Sequence, residues 1–235
     1  MPKKTVTRRA PKTAERTSID QALAWLEKSG KQQTIAGVAR YGIPSSNAYG
    51  VTVGELKAFA KQIGKDHELA QQLWVSERYE ARMLAGFIDD PSAVTSKQMD
   101  AWASDFDSWA ICDTVCFHLF DRTELAWSKV NAWARTRPEF KKRAAFALLW
   151  GLTVHDKQAP NESFLACLPL IEQAATDERD YVKKGVDMAL RALGKRNATL
   201  RAAVLNFAQK LSTSEVGAQA WIARNALREL GRKSR

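Results

Sequence analysis

A short peptide recurs inside this chain, and that recurrence constrains the fold more than any other feature. Met188-Ala-Leu-Arg-Ala-Leu-Gly-Lys195 returns as Asn225-Ala-Leu-Arg-Glu-Leu-Gly-Arg232, 37 residues further on. Arg143-Ala-Ala-Phe-Ala-Leu-Leu149 lies about one further period upstream, and Glu80-Ala-Arg-Met-Leu-Ala85 fits more loosely. Helix signals fill the intervals. Ser18 with Gln21, Thr52 with Glu55 and Thr95 with Gln98 read as capping boxes ahead of apolar residues at helical spacing. Gly30 and Gly64 are the matching stops, and Pro138 suits the first residue of a helix running to about Leu152. No run of alternating apolar and polar residues bounded by turn residues calls for a strand. The clearest loops are Gly42 to Gly50 and Asp156 to Asn161.

Helix pairs repeating at about 40 residues cannot bury their apolar faces alone, so neighbouring pairs stack into a continuous core. The expected fold is therefore all-α: a HEAT-like helical-repeat solenoid over residues 18–230, with a concave basic groove built from the second helix of each pair. An ordinary helical bundle is the alternative. The 45% hydrophobic and 26% charged residues of the 235-residue chain supply a core and argue against disorder. The longest apolar run, Ala144 to Val154, is far short of the roughly 20 residues a membrane span needs. The polar, basic N-terminus is not a secretory signal. Three cysteines are too few and odd for a disulfide framework, which points to a reducing, cytoplasmic setting.

A formal charge of +10 suggests a polyanionic partner, but much of it is terminal. Residues 1–18 carry six Lys/Arg against one Glu, and residues 231–235 add three basic groups, leaving +2 for the folded middle. We read 1–17 and 231–235 as basic tails. The middle is polarised: nine acidic against three basic residues from Asp66 to Asp107, then seven basic against two acidic from Arg179 to Arg201. A one-sided basic face suits phosphate binding, and a solvated helix face is the plainer reading.

Of eight tryptophans, Trp25, Trp74, Trp102, Trp127, Trp133 and Trp221 sit among apolar helix positions, as packing residues do. Trp109 and Asp113 differ. Four apart in Asp107-Ser-Trp-Ala-Ile-Cys-Asp113, they put an indole and a carboxylate on one helical face. Asp is a poor helix-interior residue unless its carboxylate has a task, and pairing with a basic neighbour would be a purely structural one. Lys184, Met188, Arg191 and Lys195 step by four, three and four, forming one stripe. With Arg143 from the preceding repeat they could line a groove suited to a nucleic-acid backbone. Cys112, Cys116 and His118 lack a fourth ligand at zinc-finger spacing and read as buried small residues. His67 beside Asp66 reads as local capping, and His155-Asp156 as a loop pair without a nucleophile. No phosphate-cradling glycine motif is present, and nothing calls for a metal or organic cofactor.

These residues resemble the AlkD-like DNA alkylation-repair proteins, built of HEAT-like repeats. The resemblance runs from about Tyr49 to Leu230. It rests on Tyr49-Gly-Val51, Asp66-His-Glu-Leu-Ala-Gln-Gln-Leu-Trp74, Asp105-Phe-Asp-Ser-Trp-Ala-Ile-Cys-Asp113, Lys142-Arg-Ala-Ala145, Val154-His-Asp-Lys157 and Asp177-Glu-Arg-Asp-Tyr-Val-Lys-Lys184. It implies a DNA glycosylase that removes cationic N3- and N7-alkylated purines from duplex DNA held in the concave groove, without relying on a base-flipping pocket. Asp113 matches the catalytic aspartate, Trp109 the groove tryptophan and Arg143 the phosphate-contacting arginine, with Lys184, Met188, Arg191 and Lys195 on the DNA-binding wall. One departure stands out: Met188 occupies the place of the family's second groove tryptophan. Two other classes stay open, a DNA-binding relative without excision and a protein-interaction scaffold. A monomer suffices for any of the three.

Overall fold

The computed structural model describes residues 16–231, so the predicted tails lie outside the described residues apart from 16, 17 and 231. Every regular element among the described residues is helical. The first half holds α1 (Ile19–Ser29), α2 (Gln32–Arg40), α3 (Val53–Ile63), α4 (His67–Val75), α5 (Tyr79–Ile88), α6 (Ser96–Ser104) and α7 (Trp109–His118). A 3-10 turn at Phe120–Arg122 leads to α8 (Ala126–Trp133), α9 (Glu139–His155), α10 (Asn161–Leu165), α11 (Leu168–Ala174), α12 (Asp180–Arg196), α13 (Ala198–Leu211) and α14 (Gly217–Leu230). None of these helices is long and apolar enough to cross a membrane.

The capping boxes at Ser18 and Thr52 form reciprocally. The third is only half made. Thr95 accepts from the Gln98 amide, but the Gln98 side chain is drawn away to Asp89 Oδ2 at 2.6 Å. Pro138 stands just before α9 rather than inside it, and that helix runs three residues past Leu152 to include His155. His155 is thus helical, not a loop residue. Its Nδ1 pairs with buried Asp121 at 2.5 Å. His67 does not cap α4. Asp66 does, accepting from the Leu69 amide, while His67 Nδ1 lies 2.7 Å from Asp89 Oδ1.

The helices form a ladder in which α3, α5, α7, α9, α12 and α14 each pack on the next, with α4, α8, α11 and α13 covering its other side. The last five rungs begin at Tyr79, Trp109, Glu139, Asp180 and Gly217, spacings of 30, 30, 41 and 37 residues. The period near 40 holds only for the later rungs. Two short helices, α10 and α11, intervene between α9 and α12, whereas one helix intervenes between earlier rungs. Trp74, Trp102 and Trp133 are buried, and Trp25, Trp127 and Trp221 pack on the core from its edge. Trp74 and Trp102 stack at 4.0 Å. Their indole N–H groups are satisfied where burial requires it, as in Trp74 to Asp105 and Trp133 to Asp100.

Three carboxylates of the acidic stretch, Asp66, Glu80 and Asp89, are buried. Glu80 is fully buried and accepts from the backbone amides of Tyr49, Gly50 and Val51 at 2.7, 2.7 and 3.2 Å. That carboxylate fastens the loop after α2 to α5. Gly50 is obligatory there: its φ is +89°, and a Cβ would strike the Lys31 carbonyl. Arg16 lies 3.4 Å from Asp66 and 3.6 Å from Glu68 at the start of α4.

Candidate nucleic-acid interface

Ser108 starts α7 by accepting from the Ile111 amide at 3.3 Å, which sets the phase of the helix. Ile111, Cys112, Val115 and Cys116 then face the core, leaving Trp109 and Asp113 on the outward side. The cysteine thiols point to α9, with Cys112 Sγ 3.6 Å from the Phe140 carbonyl and Cys116 Sγ 3.7 Å from that of Ala144. His118 is elsewhere, edge-on to Phe87 at 5.1 Å. No group of three or more His, Cys, Asp or Glu that could hold a metal ion occurs among the described residues.

Asp113 has a fixed partner. Its Oδ1 accepts from Arg143 Nε at 2.8 Å and its Oδ2 from Nη2 at 2.7 Å. Arg143 Nη1 donates to the Tyr181 carbonyl at 2.8 Å. Three of the five guanidinium N–H groups are therefore engaged inside the protein. The side chains are only 14% and 7% exposed, and Gly185 on α12 leaves the room that Arg143 fills, since a Cβ there would sit 3.1 Å from Arg143 Cγ. Burial pushes the Asp113 carboxyl above the usual carboxylate range, and the charge and hydrogen bonds of Arg143 pull against it. The structural task considered for Asp113 is thus present. Arg143 faces Asp113 and not open solvent.

The stripe on α12 forms as its spacing predicts, but its charge is compensated. Lys184 lies 3.3 Å from Asp180. Arg191 contacts Asp187 at 2.8 Å and also Glu229, and Lys195 contacts the same Glu229. Met188 sits half-buried between them. These carboxylates offset the positive charge of the stripe. Two are local, and the third comes from α14, 38 positions after Arg191, where a count of residues 179–201 could not register it.

Two residues at the site escaped the sequence reading. The backbone after α2 crosses from α7 to α12: the Tyr41 carbonyl accepts from Trp109 Nε1 at 3.0 Å, and the Gly42 carbonyl from the Tyr181 hydroxyl at 3.3 Å. Trp150 on α9 stacks on Phe117 of α7 with centroids 4.2 Å apart. Three hollows share these walls. One of about 560 Å³ reaches from α2 past Trp109 and Asp113 to Trp150. A second, about 420 Å³, lies among Tyr41, Trp109, Arg143 and Lys184. The third, about 450 Å³, runs from Trp150 to Lys157 and Lys195. Together they make a furrow along α7, α9 and α12.

The model of a known family, described as DNA alkylation repair enzyme, matches residues 22–230. The chain belongs to the DNA alkylation repair enzyme family. A solved structure, described as a new family of proteins related to the HEAT-like repeat DNA glycosylases with affinity for branched DNA structures, is similar over 92% of this chain and 97% of that one. Its TM-score is 0.76 and its sequence identity 22%, a likeness that shows a shared HEAT-like fold. No curated protein matches. This member of the DNA alkylation repair enzyme family therefore has the all-helical repeat architecture its periodicity predicts, with Asp113 and Trp109 both lining the same hollow of its furrow.

Proposed function

We propose that this protein is a DNA glycosylase that excises cationic N3- and N7-alkylated purines from duplex DNA. One observation carries the reading: Asp113 and Trp109 share the outward face of α7 at the furrow, the carboxylate oriented by Arg143 and the indole by the Tyr41 carbonyl. Alkylation leaves the purine positively charged. When the C1′–N bond breaks, its electron pair neutralises the departing base and no protein acid is required. The sugar becomes oxocarbenium-like. A carboxylate beside C1′ stabilises that charge and orients the water that attacks it, the proton of that water passing to Asp113 or solvent. An indole face adds attraction to the developing cation. A strand phosphate arriving beside Arg143 would compete for the guanidinium and leave more of the carboxylate charge available, so the phosphate-contact role of Arg143 and its pairing with Asp113 are compatible. Lys184, Met188, Arg191 and Lys195 then flank the same strand.

The test is release of N7-methylguanine and N3-methyladenine from methylated duplex DNA. Asp113→Asn should slow release by on the order of 10²-fold or more, with binding of the duplex retained. Normal excision by this variant would end the assignment.

A second reading has its own support. Met188 replaces the second groove tryptophan, and Arg143 offsets the Asp113 charge, both of which suit a DNA-binding relative without excision. That reading predicts salt-dependent duplex binding with no base released by the wild-type protein.

A further inference from the structure

The terminal rung sends one carboxylate to the furrow wall. In the internal repeat, Met188-Ala-Leu-Arg-Ala192 is answered by Asn225-Ala-Leu-Arg-Glu229, so the position that holds alanine on α12 holds glutamate on α14. Ala192 lines the hollow that runs from Trp150 to Lys157 and Lys195. From the matching position on the next rung, the Glu229 carboxylate reaches back to α12 and bridges Arg191 Nη1 and Lys195 Nζ. The Lys195 and Arg191 charges hold its carboxyl below the usual range, so it is ionised at neutral pH. The two carboxylates on Arg191 differ in kind. Asp187 is buried and accepts from Nε at 3.0 Å and Nη2 at 2.8 Å, which fixes the guanidinium plane. Glu229 takes only Nη1, and its side chain is 35% exposed. Removing Glu229 would therefore leave Arg191 oriented and its outer N–H open, with the Lys195 ammonium beside it. A guanidinium N–H and an ammonium converging on one acceptor is an arrangement that a phosphate oxygen fills by charge-assisted hydrogen bonds. Exposed ion pairs are weakly held, so a phosphate can exchange for the carboxylate without disturbing Asp187.

We propose that Glu229 is a built-in phosphate mimic: it occupies, on Arg191 and Lys195, the seat of a backbone phosphate of duplex DNA, and a strand must displace it to settle in the furrow. The inference rests on α12 as the DNA-binding wall and does not require excision. The carboxylate keeps both cations in the posture a phosphate needs while it lowers the pull of the wall on any passing duplex. Undamaged DNA, present in great excess over any target site, is then held weakly and let go.

The experiment follows binding of a fluorescein-labelled undamaged duplex by anisotropy over a series of salt concentrations. Glu229→Gln keeps the size of the side chain and removes its charge. It should bind about three- to tenfold tighter than wild type at low salt. Its plot of log affinity against log salt should also be steeper by about one, because the displaced carboxylate of wild type takes up a counterion that the amide does not. Glu229→Ala, which installs the residue of the matching repeat position, should do the same. With Arg191→Met and Lys195→Met both in place, adding Glu229→Gln should change nothing, which separates a seat on these two cations from a general gain in positive charge. Binding by either Glu229 variant that equals or falls below wild type, tightening that persists without Arg191 and Lys195, or no duplex binding by any variant at low salt overturns the proposal. Release of N7-methylguanine from methylated duplex by wild type reports separately on excision. If Glu229→Gln tightens as expected but wild type releases no base, the phosphate seat stands and the glycosylase reading fails. If wild type releases the base and the Glu229 variants bind no tighter, the seat fails and the glycosylase reading stands.

Discussion

The Asp113–Arg143 pair makes a prediction that separates stability from function. Removing one partner of a buried pair leaves an uncompensated charge and costs about 3–5 kcal/mol. With the side chains 14% and 7% exposed, the low end of that range applies. Asp113→Leu and Arg143→Met should each lose about 3 kcal/mol, or about 6–12 °C in midpoint for a chain of this size. The double apolar variant should be far less affected, because neither charge is then stranded. The coupling energy from the cycle should reach at least about 2 kcal/mol. The two single variants must also differ in their pH response. In Arg143→Met the buried Asp113 carboxyl can take up a proton, so its deficit should shrink as the solution is acidified. In Asp113→Leu the guanidinium cannot shed its proton, so its charge stays stranded at every pH and that deficit should not shrink on acidification. Urea unfolding followed by intrinsic fluorescence at mildly acidic and mildly basic pH measures all of this. Single-variant losses that simply add to the double-variant loss, or an Arg143→Met deficit independent of pH, would refute the reasoning. A double variant as stable as wild type yet unable to excise would mean that the pair is retained for its chemistry.

Three further outcomes follow from other sites. Burial pushes the Asp121 carboxyl up to about 6, against the pull of His155 and Arg122. Its stabilising contribution is therefore present in acid and lost as pH rises through about 6. Asp121→Asn should gain on wild type by about 2–3 kcal/mol between pH ~4 and ~7 in urea titrations, and a pH-independent difference would contradict this. Glu80→Gln keeps one acceptor but sets an amide N–H against the three backbone donors of Tyr49, Gly50 and Val51. It should lose about 2 kcal/mol and speed hydrogen exchange at the Gly50 amide. Met188→Trp restores an aromatic on α12 and should raise the rate of N7-methylguanine release, whereas an unchanged rate would remove Met188 as a limit on excision.

What was legible in the sequence divides by the range over which each feature is specified. Caps, stops and the Trp109–Asp113 face are set within a few residues, and Ser18 and Thr52 act where local chemistry puts them. The box at Thr95 failed for a local reading because Asp89, nine positions away, offered Gln98 a better partner. Charge counting failed in the same way. The acidic excess from Asp66 to Asp107 includes Glu80 and Asp89, both buried, and the basic excess on α12 is offset by Glu229 from the next rung. Trp150 was hidden for a different reason. It lies in the run Ala144–Val154, so nearly uniformly apolar that its helical phase carries no contrast between core and furrow. Tyr41 depends on the route of a loop whose contacts lie 68 and 139 positions away. The residues a local reading finds are thus those that hold the helices or sit on one of them, whereas the hollow beside Trp109 and Asp113 exists only where α2, α3, α5, α7 and α9 meet. Trp109, Asp113 and Trp150 line one hollow of the furrow, and a reading of any single helix shows only part of that set.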